Sequence, residues 1–185
     1  MKDPARHPTA TCLLLLALLI AHASGCCPPS AMPPPQNQGQ KPSEPLEAKL
    51  QTFDGGETTL AAYAGQVVMV DFWASWCGPC RLAFPYYADI QERHRGEGFL
   101  VVAVSIDETM EQGRSFARRW GLPFELLYDG DRQAQAAFSV YQIPASFLLD
   151  RHGRVRFVHR GFDSQRVGKL EEEVMFLLAE PAPAG

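Results

Sequence analysis

Hydrophobic and polar positions divide the chain into three stretches with different periodicities. Cys12 to Ala21 is an unbroken apolar run behind a basic start at Lys2 and Arg6, and small residues Ala21, Ala23, Ser24 and Gly25 follow it. The run is shorter than the ~20 apolar residues that span a bilayer, and its flanks have the layout of an export signal. Residues 27–45 carry no aromatic or β-branched side chain and many prolines. Such a segment builds no core. In an extended form of about 3.1 Å per residue it reaches on the order of 50 Å. From residue 46 onward, apolar positions fall into short periodic runs separated by glycine, proline and aspartate.

Those runs predict an alternation of strands and helices. Leu46 to Phe53 alternates and ends in the turn signal Asp54-Gly55-Gly56. Thr58 to Tyr63 reads as a short helix closed by Gly65. Gln66 to Trp73 is apolar on both faces, the pattern of a central strand. Cys80 to His94 follows as a helix, with Pro85 a candidate kink. Phe99 to Ile106 is a second central strand, Glu111 to Trp120 an amphipathic helix stopped by Gly121 and Pro123, and Phe124 to Tyr128 a short strand. Gln133 to Phe138 is a short helix. Ser146 to Asp150 and Arg154 to His159 form a hairpin across Arg151-His152-Gly153, and Gln165 to Leu178 is a closing helix. The order implies an α/β sandwich around a mixed sheet, with an N-terminal hairpin and no internal repeat. The expected organisation is a signal at 1–25, a proline-rich tether at 26–45, one domain at 46–180 and a tail at 181–185.

Composition narrows the function. The net charge is −4 and no Lys/Arg-rich run exists, so no nucleic-acid partner is expected. Of five cysteines, only Cys77 and Cys80 fall in the predicted domain. A pair so close in sequence closes no long loop, and a two-residue gap suits a redox couple or half a metal site.

Trp76-Cys77-Gly78-Pro79-Cys80 sits where a buried strand passes into a helix. At the helix N-terminus, free N–H groups and the macrodipole favour a thiolate at Cys77. One helical turn brings the two sulfurs together, and Pro79 suits the first turn because it needs no N–H there. Cys77 is expected to be the exposed nucleophile that forms a mixed disulfide, and Cys80, one turn deeper, the resolving thiol. Resolution needs a base. Asp71, an acid on an otherwise apolar strand, is the candidate for proton exchange, because burial raises a carboxyl pKa into a useful range. Ile143-Pro144 precedes an apolar strand, where a cis-proline would face the cysteines.

These residues resemble the thioredoxin superfamily. Val70-Asp71-Phe72-Trp73-Ala74-Ser75-Trp76-Cys77-Gly78-Pro79-Cys80 is similar to its active-site run, and Ile143-Pro144-Ala145-Ser146-Phe147-Leu148-Leu149-Asp150 to its cis-proline strand. Val101 to Asp107 and Phe116 to Asp129 resemble the inserted helix and strand of the TlpA/ResA-like branch of exported thiol-disulfide oxidoreductases. The resemblance spans residues 46–178 and implies a thioredoxin-like three-layer sandwich. It also implies that partner chains pair with the backbone of Ile143, beside Pro144, with Trp76, Gly78 and Pro79 as the contact rim. One position departs. Ala83 stands where ResA-like proteins carry a glutamate, which leaves Asp71 to act as the acid and weakens any link to cytochrome c maturation.

The delivery segment allows two cuts. Ala21-His22-Ala23 fits ordinary cleavage before Ser24. Ala23-Ser24-Gly25-Cys26 resembles a bacterial lipobox, with Ala23 in place of a larger aliphatic residue. Lipidation of Cys26 is the expected outcome, anchoring the protein on the periplasmic side of the bacterial envelope. The alternative is a soluble periplasmic or secreted form, and Cys27 has no assigned role. The chain is expected to act as a monomer, without cofactor or bound metal, on disulfides or thiols of exported proteins. Electrons would come from a membrane donor, since no NADPH or flavin site is evident.

Gly-Pro between the cysteines, with Asp71, resembles reducing members. The alternatives are an oxidase or isomerase, whose direction depends on reduction potential, and a Cu(I) metallochaperone. Zinc would need four ligands, and His94, His152 and His159 show no metal spacing and read as surface residues. A peroxidase would need a Thr and Arg arrangement that the sequence lacks.

Overall fold

The computed structural model describes residues 45–182. The export signal, Cys26, Cys27 and the tether as far as residue 44 lie outside the described residues, as do 183–185.

The strands are β1 (Leu50–Thr52), β2 (Glu57–Thr58), β3 (Val67–Trp73), β4 (Phe99–Ser105), β5 (Glu125–Tyr128), β6 (Ala145–Leu149) and β7 (Val155–Arg160). The helices are α1 (Gly78–His94), α2 (Met110–Trp120), α3 (Gln133–Ala137) and α4 (Val167–Leu178). The strands form one sheet in the order β2-β1-β5-β4-β3-β6-β7. β3, β4 and β5 run parallel, and β6, β7 and the β1–β2 hairpin are antiparallel to their neighbours. This is the mixed-sheet α/β sandwich that the periodicity predicts, with α2–β5 as the inserted unit.

β3 lies between β4 and β6, and all of its residues are buried. That explains its lack of alternation, since a strand covered on both faces has no solvent side. Phe72 packs against Phe138, beyond the end of α3, and Phe147 of β6, at centroid distances of 5.4 and 5.9 Å. Trp73 points the other way, onto Phe84 of α1 and Phe116 of α2.

Several boundaries differ from expectation. The run Leu46 to Phe53 yields only the three-residue β1. Thr58 to Tyr63 splits into β2 and a 3-10 turn at Leu60–Tyr63, because the chain pairs back onto β1 before turning. The first helix starts two residues early, at Gly78, and continues through Pro85 to His94. The closing helix is preceded by a 3-10 turn at Ser164–Arg166.

His94 is a correction. Expected at the surface, it is buried between α1 and α4, with Nδ1 2.9 Å from Glu97 and Nε2 3.0 Å from Glu171. Burial opposes its charge, yet the hydrogen bonds and charges of the two glutamates outweigh that and raise its pKa. His159 is half-buried against Glu173 at 2.6 Å, and of these three histidines His152 alone is exposed.

Phe72 anchors the face of the sheet away from Asp71. Phe72→Ala removes a fully buried ring and is expected to cost about 3–5 kcal/mol, read as a lower urea midpoint with an unchanged m-value.

Candidate active site

β3 delivers the chain to a tight turn at its C-terminal end, where the Cys77 N–H donates to the Ala74 carbonyl at 3.0 Å. Cys77 is the N-cap of α1, and its sulfur accepts from the Cys80 N–H at 3.2 Å. Gly78 and Pro79 fill the first turn, which holds no acidic residue. Cys77 and Cys80 are joined in a disulfide.

The exposure of the cysteines differs from expectation. Cys77 is 3% exposed and Cys80 0%, so the order of accessibility holds but neither lies open. The flanking residues are what solvent meets: Trp76 is 67% exposed and Pro79 is exposed, with Gly78 half-buried. The pair sits in the floor of a rim because α1 packs its first turn down onto the end of the sheet.

The peptide bond Ile143–Pro144 is cis. Antiparallel pairing of Phe72 with Ala145 sets Pro144 at the same end of the sheet as the turn that carries Cys77. Pro144 is buried, Ile143 half-buried, and the Pro144 carbonyl accepts from the Gly161 N–H at 2.8 Å.

Asp71 is wholly buried on β3. Its Oδ1 accepts from the Ser146 hydroxyl at 2.7 Å, and its Oδ2 has no partner. Burial pushes the carboxyl up to about 7, while the Ser146 bond pulls it back down. A group with that pKa takes and gives a proton near neutrality. Ala83 is also fully buried on α1.

The family model for the AhpC/TSA family matches residues 43–158, more than half of the chain. The chain belongs to the AhpC/TSA family. It is also similar to two proteins named thiol-disulfide oxidoreductase ResA. The protein from Geobacillus thermodenitrificans is 32% identical over 112 residues, 60% of this chain and 64% of its own length. That from Bacillus subtilis is 32% identical over 106 residues, 57% of this chain and 59% of its own. The chain thus spans less than two thirds of the length of these curated relatives. Among solved structures, a Chlorobium tepidum protein provisionally assigned as the thiol:disulfide interchange protein DsbE is 35% identical. It superposes with a TM-score of 0.68 over 71% of this chain and 92% of its own. MTB dsbF, solved in mixed oxidized and reduced forms, is 27% identical with a TM-score of 0.65, over 72% of this chain and 97% of its own. The fold is thioredoxin-like, and the resemblance to the ResA-like branch holds.

Three residues of this family member's site escape the sequence reading. Ser146 touches Asp71, and the Tyr87 hydroxyl lies 3.2 Å from the Ser146 oxygen. Asp107, two residues beyond β4, is fully buried and accepts from the Ser75 N–H at 3.0 Å, the Ser75 hydroxyl at 2.7 Å and the Ser105 hydroxyl at 2.8 Å. It clamps the residue before Trp76 and so fixes where the motif starts. The available signal was a lone polar side chain on a strand of buried apolar residues, which applies to Ser146 as it did to Asp71, whereas Asp107, followed by Glu108 and Thr109, reads as part of a polar turn. Tyr87 gave none, since a tyrosine on the apolar face of a helix reads as core.

The raised pKa of Asp71 has a consequence for stability. In the unfolded chain this carboxyl ionises near its ordinary 3.8, and in the folded protein only near 7. Between those values the unfolded state binds fewer protons, so stability falls as pH rises, by up to about 1.4 kcal/mol per pH unit. Asp71→Asn is expected to flatten that segment, checked by urea unfolding of the oxidised protein from pH 4 to pH 8. An unchanged slope would mean that Asp71 does not titrate in this window.

Proposed function

We propose that this chain is a thiol-disulfide oxidoreductase that reduces disulfides of exported proteins. The observation that carries the proposal is the Cys77–Cys80 disulfide at the N-terminus of α1, with a buried, readily protonated carboxyl on the strand that leads into it. The names of the ResA relatives support the same chemistry.

In this reading the reduced protein reacts first through the Cys77 thiolate, stabilised by the free N–H groups of α1. Cys77 attacks one sulfur of a partner disulfide, and the other sulfur leaves as a thiolate that picks up a proton. Cys80 then loses its proton to Asp71 and attacks Cys77. The partner leaves as a dithiol and the Cys77–Cys80 disulfide re-forms, so two electrons pass to the partner. An extended partner segment pairs with the backbone at Ile143 beside Pro144, and its side chains rest on Trp76, Gly78 and Pro79. Electrons return from a donor in the membrane.

Residues 1–25 act as an export signal of lipoprotein type, and 26–45 as a tether from lipidated Cys26 to the domain. In the same reading the protein works as a monomer on the periplasmic side of a bacterial envelope.

The direction of transfer is read from the reduction potential. A reductant is expected near the ~−270 mV of thioredoxins, and a value near the ~−120 mV of strong oxidants would assign the oxidase role instead. Cys80→Ser is expected to accumulate mixed disulfides through Cys77, visible on non-reducing gels and absent from Cys77→Ser. Their absence in an expressing host would exclude the assignment of Cys80 as resolving thiol. Cys26→Ser is expected to abolish incorporation of labelled palmitate, and retained label would place the lipid elsewhere.

A further inference from the structure

The hydroxyls of Ser146 and Tyr87 lie behind Asp71, and proton counting gives them a direction. A serine hydroxyl carries one hydrogen. An ionised carboxylate only accepts, so the 2.7 Å bond between Ser146 Oγ and Asp71 Oδ1 uses that hydrogen. Tyr87, 3.2 Å from the same oxygen, is then the donor of the second bond. Burial and the neighbouring Asp71 charge push the Tyr87 phenol far above its ordinary range, so it keeps its proton throughout the working pH. Donation therefore runs one way, from Tyr87 to Ser146 to Asp71.

The chain discriminates between the two carboxyl oxygens. A proton arriving on Oδ2 leaves both hydrogen bonds intact, because Oδ1 still accepts. A proton on Oδ1 would either reduce that oxygen to a hydroxyl, a poorer acceptor for Ser146 than a carbonyl oxygen, or point at the Ser146 oxygen itself. In the latter case Ser146 would turn its hydrogen towards Tyr87, and the Tyr87 hydroxyl would lose its acceptor; the described residues offer no other at hydrogen-bond distance. Oδ2 is the buried oxygen without a partner.

We propose that Ser146, oriented by Tyr87, is the positioning residue for Asp71: the pair holds Oδ1 as a permanent acceptor and confines the exchangeable proton to Oδ2. The proposal rests on the reading of Asp71 as the proton-exchange group. β6 presents Ser146 and α1 presents Tyr87, while β4 sets Ala103 beside Asp71 in the ladder. β7 and α4 contribute His159 and Glu173, which bond to each other at 2.6 Å. The cysteines do not titrate while they form the disulfide. Because one arrangement of hydroxyls serves both protonation states, Asp71 titrates without any donor having to turn.

The test is a carbon-13 carboxyl titration of Asp71 in the oxidised full-length protein, for the wild type, Ser146→Ala, Ser146→Thr and Tyr87→Phe. Loss of a hydrogen bond to the charged form is expected to raise the Asp71 midpoint in Ser146→Ala by about one pH unit. Ser146→Thr, which keeps the hydroxyl, is expected to restore the wild-type midpoint. Tyr87→Phe is expected to shift it in the same direction by roughly a third as much, through weaker polarisation of Ser146. The second readout is the rate at which Cys80 resolves a Cys77–glutathione mixed disulfide as a function of pH. Its inflection is expected to move with the carboxyl midpoint.

An unmoved midpoint in a folded Ser146→Ala protein overturns the proposal. A moved midpoint with an unmoved rate profile overturns the positioning role. Should Ser146→Ala not fold, an unmoved midpoint in Tyr87→Phe overturns it. Failure of the underlying reading looks different: Asp71→Asn would then leave the rate profile unchanged, whatever the Ser146 variants do to the titration.

Discussion

Hydrogen bonding of β3 along both edges is the constraint on which the site depends. Its residues 67–73 pair with β4, and 68–72 pair with β6. A strand fixed on both sides cannot slip, because a one-residue shift would exchange its two faces. Residue 71 is therefore held on one face and residues 70 and 72 on the other. The cost of that rigidity is a carboxyl sealed away from water, and the same burial makes its proton available near neutral pH.

Around this strand the site is assembled from parts with different jobs. α1 supplies the thiol chemistry, since Cys77 occupies its N-cap and Cys80 its first turn. The cis-proline stands immediately before β6, and two residues later β6 supplies the hydroxyl that meets Asp71. Just beyond β4, Asp107 grips Ser75 and holds the connection between β3 and α1. Asp107 and Asp71 are both fully buried carboxyls, but their surroundings divide their roles. Asp107 meets three donors and is structural, whereas Asp71 meets one and keeps an oxygen free. Buried Ala83 leaves apolar wall on its turn of α1.

Much of this was legible in the chain. The unalternating runs that became β3 and β4 marked central strands, because only a strand covered on both faces lacks polar positions. The Cys-Gly-Pro-Cys spacing located the helix start, and the isolated Asp71 stood out against its neighbours. The hairpin Arg151-His152-Gly153 was evident from turn chemistry. Short, half-exposed pieces were less so. β1 and β2 take their form from pairing with β5 and with each other, which no local pattern records. His94 read as surface because a histidine in a charged helix end looks solvated, until α4 brings Glu171 to it.

Local sequence determined the elements, the redox motif and the presence of an acid inside the core, since each is a matter of periodicity or of residues close along the chain. Tertiary structure decided which groups meet that acid. Ser146 lies 75 positions from Asp71 and Tyr87 lies 59 from Ser146. They come together only because antiparallel register sets β6 beside β3 and α1 packs across both. Tertiary packing also decided how far the cysteines are covered. Exposure depends on what surrounds a residue, and a spacing of two residues between thiols carries no information about the walls that the rest of the chain builds around them.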